Sequence, residues 1–400
     1  MPKPFLARRM SEGRTTFLGA LLTTLGPISM AIYTPAMPEL VRAFGTTEAA
    51  IKLSLSMFFA GFALAQLVAG PLSDALGRKA ATLIFLSIYL IGSMLAVLAP
   101  SVEFILAARL VQGIGASVGV VVGRAIVRDL FVGADAARIL NTIGIFLAVG
   151  PAMGPTLGGL TLAAFNWHAV FLLMVGFGVL AGLCTLLFLR ETVVPDLQRL
   201  QPARLLRAYA EVAGNLQFLA ACVVLAGTIG ALYAQATMLP FVLINKVGLS
   251  PTQFGVGMLM QSGFYLLGSL TLKLVVKRLG GPRAALTGIS LCGTGGVIMA
   301  LSVAFVPPFF LSIMGPVAIC TFGLAFLTPH VVTASMAPFP HVAGSASALT
   351  GFIQMTAGFL GGLAAAAIGD PLTAFGTIIP IMELTAVAGF IALHMLERRA

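Results

Sequence analysis

Polar and charged residues in this chain come in short runs, separated by long apolar stretches of nearly constant length. Twelve stretches, near 16–37, 50–70, 80–99, 103–125, 139–162, 167–189, 215–237, 252–272, 284–304, 308–329, 343–367 and 373–394, approach the ~20 residues that let an α-helix cross a bilayer. A chain in lipid must satisfy its own backbone hydrogen bonds, so these stretches predict helices. The longest polar stretch, Arg190 to Asn215, follows the sixth of them. It divides the chain into a six-helix bundle at 1–189, a cytoplasmic linker at 190–214 and a second six-helix bundle at 215–400. The halves echo one another. Met37-Pro38 ends span 1 and Leu239-Pro240 ends span 7, with Gly45 and Gly248 shortly after, and Gly77-Arg78-Lys79 is answered by Gly281-Pro282-Arg283. Two related bundles predict a binding site between them at mid-membrane.

Composition agrees with this pattern. Of 400 residues 59% are hydrophobic and 9% charged, and the mean hydropathy is +1.04, whereas soluble domains carry roughly 25% charged residues. The net charge of +10 raises the question of a nucleic-acid partner, which the placement of the charges excludes. With the N-terminus inside, 19 of the 23 lysines and arginines fall on the cytoplasmic side. They are Lys3, Arg8, Arg9, Arg14, Arg78, Lys79, Arg124, Arg128, Arg138, Arg190, Arg199, Arg204, Arg207, Lys273, Lys277, Arg278, Arg283, Arg398 and Arg399. Arg42, Lys52 and Lys246 fall outside, and Arg109 lies within a span. This positive-inside bias reads the charge as topology, with both termini cytoplasmic. The basic, then apolar N-terminus has no small-residue cleavage site and is read as a retained first span. The four cysteines, Cys184, Cys222, Cys292 and Cys320, lie inside spans without metal-ligand spacing, so no metal or cofactor is expected.

Polar residues inside spans are costly, which makes each a candidate for function. Arg109 lies about eight residues into span 4, roughly 12 Å deep. Gln112, Gln261 and Gln354 sit at similar depth, with Tyr33 and Tyr265 as further candidates for a central cavity. Span 5 carries Gly150-Pro151-Ala152-Met153-Gly154-Pro155-Thr156-Leu157-Gly158-Gly159. Its glycines admit close packing, and its repeated prolines suggest a hinge or a sealed seam. Gly70 to Lys79 reads as a tight polar hairpin between spans 2 and 3. Gly115-Ala116-Ser117-Val118-Gly119 matches the serine-hydrolase pattern, but its apolar helical context leaves an intramembrane hydrolase as a remote alternative.

The loop at 70–79 resembles the G-x-L-x-D-x-x-G-R-[RK] motif of the major facilitator superfamily. Arg109-Leu110-Val111-Gln112-Gly113-Ile114-Gly115-Ala116 resembles its R-x-x-Q-G-x-G-A, and 150–159 resembles the G-P-x-x-G-P-x-x-G-G of its drug:proton antiporters. Tyr33-Thr34-Pro35-Ala36-Met37-Pro38 and Asn166-Trp167-His168-Ala169-Val170-Phe171 are similar to the Bcr/CflA group, associated with bicyclomycin and chloramphenicol resistance. The resemblance implies two pseudo-symmetric six-helix bundles and alternating access. It implies an inner gate in which Gly70, Asp74, Gly77, Arg78 and Lys79 act with Asp129, Asp74 facing the start of span 11 near His341 to Ser345. The span-1 position where the group carries an acid is Ala31 here, leaving Asp74, Glu383 or an acid at the outer boundary, Glu39 or Glu103, as candidates to carry protons.

The expectation is therefore a monomeric, multi-pass transporter of the bacterial inner membrane. It would export small amphiphilic drugs by proton antiport and contact lipid but no nucleic acid. The alternative is an exporter of a sugar, nucleoside or amino-acid derivative, not necessarily coupled to protons.

Overall fold

The structure, a computed structural model, describes residues 10–197 and 201–398. Lys3, Arg8, Arg9, Arg199 and Arg399, counted above among the inside charges, lie outside the described residues, as do both termini. Within them the chain forms α1 (Glu12–Tyr33), α2 (Met37–Ala43), α3 (Glu48–Leu76), α4 (Arg78–Val97), α5 (Val102–Leu130), α6 (Gly133–Ala164) and α7 (Trp167–Phe188). After the linker helix α8 (Pro202–Ala213) come α9 (Leu216–Ala236), α10 (Pro251–Leu279), α11 (Gly281–Phe305), α12 (Phe310–Met336), α13 (Ala343–Ile368) and α14 (Pro371–Glu397). α2 continues α1 through a 3₁₀ turn, and among the described residues twelve helices are long and apolar enough to cross a membrane.

Side-chain caps start many of them. Thr47, Ser101, Asn166, Asn215 and Asp370 each accept the backbone N–H three residues on, and Ser250 and Gln253 form a reciprocal capping box. These caps satisfy donors that a helix end leaves unpaired. Several helices are longer than the apolar stretches. α3 and α5 each have 29 residues, about 44 Å at 1.5 Å per residue, and so extend beyond a ~30 Å hydrocarbon core.

In the first half, α5 is central: it packs on α1, α3 and α4, while α6 lies on α1 and α7 on α4. In the second half α9 packs on α12, α13 and α14, and α11 joins α12 to α14. The halves meet along two lines, α3 against α13 and α6 against α10. Their kinship shows in backbone conformation. Gly45 and Gly248, and likewise Gly77 and Gly280, all have positive φ, are separated by the same interval and occupy equivalent loops. Glycine adopts this left-handed region without a Cβ clash. The partner of Gly77 is thus Gly280, one residue before the sequence echo.

One expectation changes. The stretch 70–79 is no hairpin: α3 stays helical to Leu76, and Gly77 alone (φ 94°) breaks it before α4. Pro71 lies within the helix, where its missing N–H leaves the carbonyl of Leu67 without a helical donor. The Tyr209 hydroxyl of α8 donates to that carbonyl at 2.5 Å, so the linker fills the gap the proline makes. The same helix buries Val212 and links Glu211 to His341 at 2.7 Å.

Candidate functional site

α1, α6, α9, α10 and α12 surround a cavity of about 260 Å³ between the halves. The first half contributes Pro27, Met30, Ala31, Thr34, Leu147, Pro151 and Pro155, and the second Leu232, Tyr233, Gln235, Met258, Gln261, Ser262, Tyr265 and Thr321. No lining residue is charged, and apolar surface predominates. Prolines 27, 151 and 155 interrupt the helical hydrogen bonding of α1 and α6 beside this wall, removing the donors to the Thr23, Leu147 and Pro151 carbonyls.

The end of the bundle opposite the linker is closed. Gly150, Gly154 and Gly158 form the α6 face against α1, where added Cβ atoms would strike Thr24, Ala31 and the Ile32 carbonyl. Pro155 and Gly159 serve the other seam, backbone to backbone against Gly255 and Pro251 of α10. Thr156 donates to the Gly255 carbonyl at 3.0 Å and Thr252 to that of Gly159 at 3.5 Å. Beside this seam the Lys52 ammonium, on a fully buried residue, donates to the Gly369 carbonyl at the end of α13 (2.7 Å), over the face of Phe241. Asn245 donates to Glu48 at 2.8 Å, and Lys246 pairs with Asp370 at 2.8 Å. The Lys246 ammonium, by hydrogen bond and charge, holds the Asp370 carboxyl down to about 2.

Toward the linker the halves part. Among the described residues no direct hydrogen bond joins spans of opposite halves there, and a second cavity of about 440 Å³ separates Asp74, Arg124 and Arg128 from Gly344, Ser345 and Ser347 of α13. Asp74 does not engage the start of α13. It pairs with Arg78 at 2.5 Å, and Arg78 also binds Asp129 at 2.9 Å and donates to Ser73. The nearest cation thus captures the carboxylate, while His341 turns to Glu211. Glu191 accepts the backbone N–H groups of Arg78 (2.7 Å) and Lys79 (3.2 Å), an anion at the positive end of α4. Lys79 donates to the Leu186 carbonyl at the end of α7. Gly70 lines the linker-side cavity.

The structure separates the polar residues that the sequence grouped by depth. Gln261 and Tyr265 line the central cavity; Tyr33, Arg109 and Gln112 are not on its wall. They are fully buried inside the first half, where the Arg109 guanidinium lies between the rings of Tyr33 and Phe58 (4.4 and 4.5 Å) and binds Gln112. Tyr33 and Ser54 share a hydrogen bond at 2.5 Å, and Gln112 donates to Ser93 at 2.7 Å. This polar knot ties α1, α3, α4 and α5 together. Gln354 is half-buried on α13 and does not line the cavity. Glu383 is 4% exposed on α14 and borders a crevice of about 10 Å³ beside the main cavity. Sequence reasoning missed Tyr233, Gln235, Ser262 and Thr321 on the wall, and Lys52 at the closed end. Of these, Lys52 carried a signal, as one of the three cations that the topology places on the outer side.

These features define a polytopic helical membrane protein in which two six-span halves enclose a central cavity, closed at one end. The family model for the Major Facilitator Superfamily matches residues 19–362, and the chain belongs to that superfamily. It is accordingly a transporter of small molecules and not an enzyme. Multidrug resistance protein D of Escherichia coli (strain K12) is 27% identical over 92% of both chains. The chloramphenicol resistance protein of Pseudomonas aeruginosa is 28% identical over 85% of this chain and 81% of its own. An uncharacterized MFS-type transporter, YdgK of Bacillus subtilis (strain 168), is 28% identical over 96% and 95%. The crystal structure of the human organic anion transporter MFSD10 superposes with a TM-score of 0.71 at 18% identity, covering 96% of this chain and 99% of that one. The crystal structure of a point mutant of the nucleoside transporter NupG gives 0.70 at 16%, covering 95% and 99%.

Proposed function

We propose that this protein exports small, uncharged or weakly charged amphiphilic drugs of the phenicol or bicyclomycin type across a bacterial inner membrane, in exchange for protons. The observation that carries the reading is the central cavity, which is apolar, uncharged and sealed at one end only. A shape-fitting wall of Met, Pro, Leu and Tyr with a few amide and hydroxyl groups suits such cargo better than a polar metabolite. The names of two relatives, multidrug resistance protein D and a chloramphenicol resistance protein, point the same way. The excess of lysine and arginine at the linker end makes that end cytoplasmic, with both termini on that side. The conformation is then inward-facing.

In this reading residues 1–189 and 215–400 rock about the cavity as two units, with 190–214 as their tether, and a monomer suffices. Gln261 and Tyr265, joined by Gln235 and Tyr233, contact the cargo. Arg109, Tyr33 and Gln112 keep the first half rigid. On closure of the cytoplasmic end, Asp74 leaves Arg78 for the start of α13, where a carboxylate meets unpaired N–H groups. Asp74 thereby acts in the gate, and the coupling proton is carried elsewhere. The test uses everted vesicles with an acidic interior and a dye reporting the pH gradient. Chloramphenicol or bicyclomycin should partly collapse the gradient. No collapse, together with no drug uptake into proteoliposomes containing the folded protein, would refute the proposal.

A further inference from the structure

Glu383 is the one acid placed mid-span in the second half, and its surroundings give it no counter-charge. Carboxyl oxygen Oε2 has no hydrogen-bond partner among the described residues. Gly296 of α11 leaves room for its stem, with a would-be Cβ 3.1 Å from that of Glu383. The titratable groups facing it are two thiols, Cys292 of α11, which donates to the Cys320 carbonyl at 3.4 Å, and Cys320 of α12. α9 presents the hydroxyl-bearing Thr228, and α13 carries no ionisable residue. Burying a lone carboxylate costs far more than burying the neutral acid, so the site suits the neutral acid.

The carboxyl is nevertheless connected. The crevice it borders, about 10 Å³, is near the lower limit for one water molecule. Four of its residues, Leu232, Gln235, Thr321 and Leu324, also line the central cavity, so one wall serves both spaces.

We propose that Glu383 is the proton site of the transport cycle, exchanging its proton with the central cavity through the crevice between Thr228, Gln235 and Thr321. The proposal rests on the proton-antiport reading. With the cavity open to the cytoplasm, the Glu383 O–H bond breaks and the proton passes to a crevice water, leaving a carboxylate that Cys292, Thr228 and Thr321 can solvate by turning from the Cys320, Val224 and Val317 carbonyls to which they donate. Cargo then enters against the shared wall. After the halves rock, a proton from the opposite side restores the acid and cargo leaves. Proton and cargo are thus linked through Gln235 and Thr321 without touching each other.

The test uses purified protein in lipid nanodiscs with two readouts. Infrared spectroscopy should show a protonated-carboxyl C=O band at neutral pH that is lost in Glu383→Gln, a variant of nearly the same shape as the neutral acid. The band should shift on transfer to deuterated water, and more slowly in Thr321→Val, which dries the crevice. Absence of the band, or its persistence in Glu383→Gln, overturns the site; equal exchange in Thr321→Val overturns the route. In weak buffer, chloramphenicol should release protons from wild type, with affinity changing by up to about tenfold per pH unit, the limit for one linked proton. Glu383→Gln should bind the drug without proton release or pH dependence. Proton release retained in Glu383→Gln overturns the proposal and leaves drug export standing. A wild type that binds no drug refutes the export reading, while the infrared band still decides the site.

Discussion

Replacing Lys52 by Met should open the closed end of the transporter. The ammonium joins the halves, donating from α3 to the Gly369 carbonyl at the C-terminus of α13 over 2.7 Å, above Phe241 at 5.6 Å. A hydrogen bond from a charged donor contributes about 1.5–3 kcal/mol, and a cation over an aromatic face about 0.5–1 kcal/mol more. Against these stands the cost of burying the ammonium, incurred only while the end is closed. The net bias toward closure is then on the order of 1–2 kcal/mol, so Met should raise the open population about 5- to 30-fold. The readout is Met258→Cys, a cavity position labelled by a membrane-impermeant maleimide from the side opposite the linker. The four native cysteines are buried, so background labelling is low. Lys52→Met should accelerate labelling, and Lys52→Gln, which keeps a neutral donor, should fall between it and wild type. An unchanged rate in Lys52→Met would refute the reasoning, because the ammonium would then contribute nothing to closure.

Three further outcomes follow from the geometry. Gly159→Leu places a side chain against the Pro251 backbone; the seam should stay open, with drug binding kept, transport lost and Met258→Cys labelled readily from that side. Transport at the wild-type rate would show that the seam need not close. Tyr209→Phe should loosen α8 by about 1 kcal/mol, read as faster amide exchange in the linker. The buried hydroxyl, pushed up to about 12 by desolvation, remains a donor to the Leu67 carbonyl across the physiological range, so the difference should not vary between neutral and mildly alkaline pH. Asp370→Asn keeps the cap of α14, since Asn caps as well as Asp, but loses the pair with Lys246. Because the pair holds the folded-state carboxyl at about 2, below the ordinary ~3.9, its stabilisation is complete above about pH 4 and is lost as pH falls through about 2. Exchange in the first turn of α14 should therefore differ between variant and wild type at neutral pH and converge in strong acid; a constant difference would refute the assignment.

The hydropathy pattern and the charge asymmetry were enough to read twelve spans, a division after the sixth and an expected sidedness, because a bilayer imposes a length on each helix and a membrane potential biases each loop. These are one-dimensional constraints, and a sequence expresses them directly. The glycine-proline run on α6 was legible as a packing feature, since a missing Cβ means close approach whatever the partner. Which partner was not legible. Tertiary structure sets Gly150, Gly154 and Gly158 against α1 and gives Pro155 and Gly159 to the seam with α10.

The same limit governs the polar residues. Sequence gives the depth of Arg109, Gln112, Gln261 and Gln354 but not their direction around the helix axis. Helix rotation and the identity of each neighbour turned Arg109 and Gln112 into the first half and Gln261 toward the cavity. Asp74 was expected at α13, but in this conformation Arg78, four residues on at the start of α4, takes its carboxylate. Glu383 was legible as a costly acid in an apolar span. That its carboxyl shares a wall with the central cavity, through Gln235 of α9 and Thr321 of α12, was decided by the packing of three helices far apart in sequence.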